Sequence, residues 1–160
     1  MISKLIIKRG RLGKSVFAKS NFKKDEKIIE FKGKIIKTSD IPEINSPQDD
    51  RYVQIGRYKY VGPSNSFDDF INHSCNPNSG LKITNKSIIL IAIKNIKTGE
   101  EITWDYSTTM NEDDWEMDCK CKNKSCRKRI KDFKYLPKKI QNKYIKLGIV
   151  PKYAIPKTKE

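Results

Sequence analysis

The only histidine of this 160-residue chain stands in a short stretch of polar side chains. His73 lies between Asn72 and Cys75 in the segment 70–78, whose sequence is FINHSCNPN. An amide, an imidazole and a thiol at neighbouring positions can bind a small molecule or a metal ion. A lone histidine is more often a satisfied structural residue, so this stretch needs support from other parts of the chain.

Four cysteines are the number that closes one tetrahedral zinc site. Three of them follow the spacing C-x-C-x4-C at Cys119, Cys121 and Cys126, and Cys75 lies 44 residues before the first. Two disulfides or inert buried thiols are the alternative uses. Disulfides are disfavoured because the chain shows no secretory signal and because two cysteines separated by one residue pair poorly.

The positive charge of the chain is concentrated near its C-terminus. Net charge is +15, and residues 119–160 hold 15 Lys or Arg and two acids, against 19 basic and 17 acidic residues in 1–118. Such a field can meet nucleic acid or an acidic partner surface. A solvated basic tail in a lysine-rich proteome explains the same charge equally well.

The apolar residues do not predict a membrane-spanning helix or a signal peptide. No apolar run has the length of a membrane-spanning helix, and residues 1–8 are typical of a strand rather than of a signal peptide. We therefore expect an intracellular protein, cytoplasmic in a prokaryote and nuclear or cytoplasmic in a eukaryote, with no membrane partner.

Short β-branched or aromatic runs broken by Gly and charged turns predict a mainly β domain. A hairpin is expected around Gly56-Arg57, and an irregular loop over 38–50. One amphipathic helix is expected after Pro137, with an apolar stripe at Ile140, Tyr144 and Leu147 that packs against the domain. The predicted strands cover 5–7, 15–18, 27–31, 34–36, 51–55, 58–61 and 87–93.

Three blocks in one order resemble the SET-domain family of protein lysine methyltransferases with a post-SET zinc motif. FINHSCNPN matches the family's F-I-N-H-S-C-x-P-N, GEEITWDY at 99–106 is similar to G-E-E-L-T-x-D-Y, and the cysteine cluster follows. RLGKSVFA at 11–18 is similar to the G-x-G-x-F-A segment. The resemblance implies a mainly β fold of several small sheets with a pseudoknot, plus a C-terminal zinc-bound post-SET segment and a short helix.

The same resemblance implies boundaries and site residues. It divides the chain into a SET domain at 1–110, a post-SET zinc segment at 111–135 and a basic C-terminal extension with a short helix at 136–160. The implied residues fall into four groups. These are catalytic Tyr106 and Tyr52; S-adenosylmethionine-binding Lys14, Ser15, Val16, Asn72, His73 and Tyr106; substrate-channel Tyr52, Trp104 and Tyr106; and zinc-binding Cys75, Cys119, Cys121 and Cys126.

The chain departs from the family at three positions. Ser15 replaces a glycine of the cofactor segment, and Asp69 stands where the family usually has Arg. Trp104 replaces the usual Phe or Tyr two residues before the catalytic tyrosine, where it could narrow the pocket to a monomethyl product or rotate away. Asp68-Asp69 and Asp113-Asp114 are expected to be surface acids rather than catalytic ones.

The activity implied is transfer of a methyl group from S-adenosylmethionine to a lysine Nε of a protein, histones being the commonest family substrates. An aromatic channel would desolvate the lysine and lower its pKa, with Tyr106 orienting the amine and Tyr52 as a second wall. The first alternative is a catalytically weak SET-like module that docks on nucleic acid or chromatin through its basic tail. The second is a zinc-dependent nucleic-acid-binding protein without the enzyme's chemistry.

Overall fold

The structure is a computed structural model that describes residues 3–40 and 51–157, which form short strands and one α-helix. The strands are β1 (Leu5–Gly10), β2 (Gly13–Ala18), β3 (Lys27–Glu30), β4 (Ile35–Lys37), β5 (Val53–Gly56), β6 (Lys59–Val61), β7 (Asn72–His73), β8 (Ser79–Ile83), β9 (Ile88–Ala92), β10 (Thr103–Trp104), β11 (Glu116–Asp118) and β12 (Arg129–Lys131), and the helix is α1 (Lys138–Lys146).

The strands pair into small sheets instead of one large one. β1 and β2 form an antiparallel hairpin, as do β11 and β12, and the two three-stranded sheets have the orders β3-β9-β8 and β4-β6-β5. β7 and β10 pair in parallel. The mainly β class and the hairpin of β5 and β6 predicted around Gly56-Arg57 are both confirmed.

The largest hydrophobic cluster lies between these small sheets. Val16, Leu81, Leu90 and Ile102 have no exposed surface and come from β2, β8, β9 and the segment before β10. The apolar run of β9 is buried as its composition indicates, because a strand covered on both faces needs no polar alternation. Packing of this cluster fixes the segment that leads into β10.

α1 begins after Pro137 and ends before Gly148, which adopts a left-handed conformation with a φ of 68°. Glycine tolerates this conformation at a helix C-terminus without steric cost. Tyr144 is buried and Ile140 half-buried, so the predicted apolar stripe packs inward. The helix shares a second hydrophobic cluster with Ile91, Ile93, Phe133, Leu136 and Ile149.

β8 is a strand that the local sequence pattern did not predict. Residues 79–83, with Ser-Gly at their start, do not by themselves indicate a strand, yet they form β8. A Cβ added at Gly80 would lie 2.7 Å from Ile149 Cγ2, so this strand needs glycine to let the C-terminal segment approach. In the predicted loop, Thr38–Asp40 forms a 3₁₀ turn and 41–50 lie outside the described residues.

Across residues 3–40 and 51–157, no helix combines the length and apolarity that crossing a lipid bilayer requires.

Candidate active site

Two sequence blocks meet in the parallel pair of β7 and β10. Thr103 lies opposite Asn72, and Trp104 lies opposite His73. The pairing continues beyond the strands, because Ser74 N donates to Trp104 O at 3.0 Å. Residues about 30 positions apart in the chain are thereby brought into one site.

Asn78, the last residue of FINHSCNPN, fastens the segment that leads into β10. Its Nδ2 donates to Glu101 O at 2.8 Å, and its Oδ1 accepts from Thr103 N at 2.9 Å. Ser79 Oγ adds a bond to Thr103 O at 2.7 Å. The side-chain amide thus satisfies a donor and an acceptor of the backbone, as a neighbouring strand would. Sequence reasoning assigned Asn78 no role.

Tyr106, the predicted catalytic residue, is 8% exposed and held at several points. Its hydroxyl donates to Ile71 O at 2.9 Å, and its backbone N–H donates to His73 Nδ1 at 3.1 Å. The ring centroid of Trp104 lies 4.9 Å from that of Tyr106 at an angle of 47°. The phenol proton therefore points to a backbone carbonyl.

His73 is neutral in this environment. Burial lowers its pKa to about 4, and this outweighs the opposite effect of the Asp105 carboxylate, whose Oδ1 lies 3.6 Å from Nδ1. Because Nδ1 accepts from Tyr106, the ring carries its proton on Nε2, which lies 3.4 Å from Cys75 Sγ. One imidazole therefore joins the tyrosine turn to the cysteine cluster.

Asp105 is a buried carboxylate, 1% exposed, beside the predicted catalytic residue. Arg127 donates to both of its oxygens at 2.8 and 2.7 Å, and Tyr144 OH donates to Oδ2 at 3.1 Å. Ser107 N donates to Oδ1 at 3.1 Å, which caps the 3₁₀ turn Tyr106–Thr108. Burial disfavours the charged form of Arg127, but the hydrogen bonds and the attraction from Asp105 outweigh burial and raise the pKa of the Arg127 guanidinium. Asp105 lies in the GEEITWDY block and Tyr144 in the predicted apolar stripe, but the sequence analysis gave neither of them, nor Arg127, a role in the site.

Asn72, predicted to bind the cofactor, is oriented by two acceptors. Its Nδ2 donates to Ser15 Oγ at 2.8 Å and to Glu101 Oε1 at 2.9 Å, and it lies 3.5 Å from Lys14 O. Both amide hydrogens are thus occupied, which leaves Oδ1 as the free end of the side chain. Ser15, the departure from the family pattern, is a direct partner of the motif asparagine.

Ser15 fits because Gly10 faces it across the β1–β2 hairpin. A Cβ at Gly10 would lie 2.3 Å from Ser15 Oγ, closer than atoms can approach. Ser15 and Val16 have no exposed surface, and Val16 O accepts from Ile102 N at 2.8 Å. Only Lys14 of the three predicted cofactor-segment residues is exposed, with Nζ 5.1 Å from the centroid of the Phe70 ring. The direct cofactor contacts of Ser15 and Val16 therefore remain part of the proposal for this site.

The four cysteines converge in space as free thiols. All four Sγ atoms lie within 4.8 Å of one another, with Cys75 and Cys119 Sγ 3.7 Å apart. A tetrahedral Zn–S4 centre with bonds of about 2.3 Å needs sulfur atoms about 3.8 Å apart. The cluster therefore has the chemistry and size of a zinc site, and the structure records the four cysteines as free thiols rather than as disulfides.

The pKa values of the thiols and the hydrogen bonds from their neighbours affect how readily the cluster binds a metal ion. Burial raises the pKa of Cys75 to about 11; at Cys121 burial acts the same way, but hydrogen bonds outweigh it and lower the pKa to about 7. Arg127 N donates to Cys75 Sγ at 3.4 Å, which favours a thiolate there. A bound cation would displace the remaining thiol protons. Arg11 of the β1–β2 turn donates to Lys120 O, which ties this segment to the first hairpin.

Tyr52 is half-buried and lies immediately before β5. It is not among the partners given above for Asn72, His73 and Tyr106. Gly62 lies against its backbone, since a Cβ at Gly62 would be 3.5 Å from Tyr52 Cα. Its assignment to the substrate channel stays a prediction.

Asp68 and Asp69, expected to be surface acids rather than catalytic ones, accept hydrogen bonds from the backbone of nearby loops. Both are half-buried. Asp69 accepts from Ser64 N at 2.9 Å and Asn65 N at 2.6 Å, and Asp68 accepts from Lys32 N at 3.3 Å. They shape the loop before FINHSCNPN, which accounts for an acid at 69. Asp113-Asp114 are exposed as predicted.

Comparison with known proteins identifies the family. The SET domain model matches residues 13–107, so this chain belongs to the SET domain family. It is 32% identical over 140 residues to the variant-silencing SET domain-containing protein of Plasmodium falciparum, and 31% identical over 131 residues to the histone-lysine N-methyltransferase trithorax of Drosophila virilis. These alignments cover 76% and 74% of this chain but only 5% and 3% of those proteins.

A solved structure supports the fold independently. KRYPTONITE in complex with mCHH DNA, an H3(1-15) peptide and SAH superimposes with a TM-score of 0.64 at 23% identity, over 82% of this chain and 30% of that one. The similarity confirms the predicted SET fold of small sheets.

Proposed function

We propose that this chain is an S-adenosylmethionine-dependent protein-lysine N-methyltransferase. The observation that carries the proposal is the parallel pairing of β7 and β10, which gathers Asn72, His73 and Tyr106 in one site. Membership of the SET domain family, and the name of the trithorax relative, support the same reaction class.

Tyr106 is the proposed catalytic residue. Because its hydroxyl donates to Ile71 O, the phenol oxygen acts as an acceptor toward an amine N–H. Accepting one N–H would turn the lone pair of the amine away from the phenol, which orients it for transfer. The His73 and Trp104 contacts keep the ring from rotating, so this orientation is set before a substrate enters.

A lysine must arrive at this site without its proton. Its ordinary pKa is about 10.4, and an apolar, poorly hydrated channel lowers it because burial disfavours the charged form. The rings of Tyr106 and Trp104, with Tyr52 as the proposed second wall, would pack on the aliphatic part of the side chain. Asp105 does not oppose deprotonation, since Arg127 neutralises its charge.

S-adenosylmethionine would supply the methyl group on a positively charged sulfur, the leaving group of an in-line displacement. Its proposed holders are Lys14, Ser15, Val16, Asn72, His73 and Tyr106, and Oδ1 of Asn72 would accept from a donor. Ser15 and Val16 are buried, and they would also support the residues around them.

Zinc bound by Cys75, Cys119, Cys121 and Cys126 would cross-link the C-terminal segment to the central motif. The thiol cluster fits this ion, and Cys75 belongs to both the metal site and FINHSCNPN. A zinc with four protein ligands keeps no open position, so its contribution is structural.

Trp104 is proposed to limit the reaction to one methyl group. It is buried, and its ring contacts that of Tyr106, where added bulk reduces the space around the amine. Trp104→Phe is expected to increase the dimethylated share of product, measured by mass spectrometry of the modified peptide. An unchanged product distribution would show that Trp104 does not set it.

The proposed substrate is a histone or another basic protein, with nucleic acid as an additional contact. Four lysines of α1 are exposed, and none of them pairs with an acidic side chain within the described ranges: Lys138, Lys139, Lys143 and Lys146. This face repels a basic substrate but attracts phosphate, so a shared nucleic acid could bring both together. The nucleus or cytoplasm is the corresponding location.

The first experiment is a methyl-transfer assay with labelled S-adenosylmethionine, core histones and a host lysate. The zinc-loaded parent and Tyr106→Phe are compared. Label on a protein lysine that falls by at least about 100-fold in the variant is expected, because the phenol oxygen aligns the amine.

The competing function is a catalytically weak binding module that docks on nucleic acid or chromatin. The exposed lysines of α1 favour this alternative. Binding of S-adenosylhomocysteine by calorimetry without transfer to any tested protein, together with salt-dependent binding of duplex DNA, would support it. Absence of both cofactor binding and transfer would overturn the methyltransferase proposal.

A further inference from the structure

We propose that Arg127 and Tyr144 are positioning residues for Tyr106 and act on it through the Asp105 carboxylate. The inference rests on the proposed function and adds to it two residues that lie beyond the matched region, which ends at residue 107. It makes the C-terminal helix part of the active site rather than an appendage.

Asp105 is placed to control Tyr106 because the two are adjacent and share a turn. Its Oδ1 accepts from Ser107 N at 3.1 Å, and its carbonyl accepts from Thr108 N at 3.0 Å and Thr108 Oγ1 at 2.8 Å. These bonds close the 3₁₀ turn in which Tyr106 is the first residue. Rotation of the carboxylate would release its bond to Ser107 and change the direction of the tyrosine backbone.

Arg127 fixes the plane of this carboxylate. The guanidinium meets both oxygens in a parallel fork, a geometry that specifies orientation as well as charge. The same guanidinium lies 3.2 Å from Ser107 Oγ. Arg127 therefore contacts both residues that flank Tyr106.

Tyr144 completes the arrangement from α1. The side chain is buried, 2% exposed, and its hydroxyl donates to Oδ2 at 3.1 Å. Apolar packing alone would need no hydroxyl at this position, and phenylalanine would fill the same space. A buried carboxylate oxygen, by contrast, needs its donors, since each one lost leaves charge without compensation. Removal of the Tyr144 hydroxyl oxygen should thus disturb Asp105 without leaving a cavity in the hydrophobic core.

The test compares two tyrosines of the C-terminal segment. Tyr144→Phe removes the donor to Asp105. Tyr153→Phe removes the hydroxyl of a half-buried side chain, whose hydrogen bonds within the described residues go to backbone oxygens, Gln54 O at 2.8 Å and Thr109 O at 2.9 Å. Both variants lose hydrogen bonds of the same segment, so both report its docking. Only the first touches the carboxylate.

With zinc bound, Tyr144→Phe is expected to lower kcat about tenfold while both KM values stay within about twofold, because alignment is lost and binding is kept. Tyr153→Phe is expected to leave kcat within about twofold despite a similar loss of stability. Equal losses of kcat in both variants would overturn the inference, because docking alone would then explain them.

A second measurement does not depend on turnover. Each protein is labelled with 3-fluorotyrosine, and the ¹⁹F resonance of Tyr106 is assigned with Tyr106→Phe. The chemical shift of this resonance is expected to change in Tyr144→Phe and to be unchanged in Tyr153→Phe. An unchanged chemical shift in Tyr144→Phe would overturn the inference. If the parent neither transfers methyl groups nor binds S-adenosylhomocysteine, the proposed function fails, while the resonance still decides whether Tyr144 positions Tyr106.

Discussion

Two buried carboxylates, Asp105 and Asp132, are each 1% exposed and are stabilised in different ways. Asp105 has the Arg127 fork and the Tyr144 hydroxyl. Asp132 has backbone donors only: its Oδ2 accepts from Glu112 N at 2.8 Å and Asp113 N at 2.6 Å. Its Oδ1 has no partner among residues 3–40 and 51–157.

The difference separates a site residue from a structural one. Asp132 orders the turn at 112–113, and nearby Lys134 pairs with Asp113 instead. Burial raises the pKa of Asp132, partly opposed by the bonds from Asp113 and Glu112. Asp105, beside the proposed catalytic tyrosine, is paired with the positive charge of Arg127, because the orientation of this carboxylate matters there. Asp132 only closes a turn, and the dipoles of backbone N–H groups are enough to stabilise it.

Metal removal is the prediction with the largest effect. Because Arg127 follows Cys126, the partner of Asp105 is attached to the proposed zinc cluster, whereas the donors of Asp132 are not. Chelation is expected to lower hydrogen-exchange protection of the Ser107 amide at least about 100-fold, and that of the Glu112 and Asp113 amides less than about tenfold. Restoring zinc serves as the control. An equal loss of hydrogen-exchange protection at the Ser107 amide and at the Glu112 and Asp113 amides would contradict this distinction between the two carboxylates.

The same substitution at the two carboxylates is predicted to have unequal cost. Asp105→Asn leaves the Arg127 guanidinium without its counter-charge, and we expect about 3 kcal/mol lower free energy of unfolding. Asp132→Asn keeps an oxygen for both backbone donors and removes an uncompensated charge, so a change within about 1 kcal/mol is expected, in the stabilising direction. Urea denaturation of the zinc-loaded proteins at neutral pH measures both. A larger loss at Asp132 would contradict the comparison.

The pH dependence of stability sharpens the contrast further. The folded-state pKa of Asp132 is raised above the usual value of about 3.9. The folded protein therefore binds more protons than the unfolded chain between these two values, and stability falls as pH rises through that window. Asp132→Asn is expected to abolish this contribution. The parent and the variant are compared at each pH, so that effects of other groups cancel.

A neutral hydrogen bond gives the smallest effect. Ser15→Ala removes the Ser15 acceptor of Asn72 and is expected to weaken S-adenosylhomocysteine binding about threefold in calorimetry, the value of one neutral bond. Gly10→Ala should act in the same direction, since its Cβ would displace Ser15 Oγ. Ser20→Ala is the control, because the buried Ser20 Oγ has no partner within the described part of the chain. Unchanged affinity for Ser15→Ala would reduce its role to packing.

Local patterns predicted β1 to β6 and β9, because β-branched runs and glycine turns act over a few residues. α1 was also predicted from local patterns, and the family motifs supplied the fold. Local patterns did not predict β7, β8, β10, β11 or β12. β8 was missed because its Ser-Gly start is explained only by the approach of Ile149 from the other end of the chain.

The site was predictable as a set of motifs but not as a network. Asn72, His73, Tyr106 and the four cysteines were named because their motifs resemble those of the SET-domain family. Arg127 and Tyr144 are ordinary residues in a lysine-rich segment, and only the fold brings them to Asp105. The role of Ser15 likewise depends on Gly10 across a hairpin, a pairing that no single position reveals.

The bond from Tyr144 to Asp105 also has a consequence for synthesis. A ribosome makes Tyr106 well before it makes Tyr144, and the segment between them is still within the exit tunnel when the SET core emerges. The inferred positioning of Tyr106 therefore cannot be complete before residue 144 has left the exit tunnel. Activity is expected to start only after residue 144 has left the ribosome, which would protect neighbouring nascent and ribosomal lysines from modification during translation.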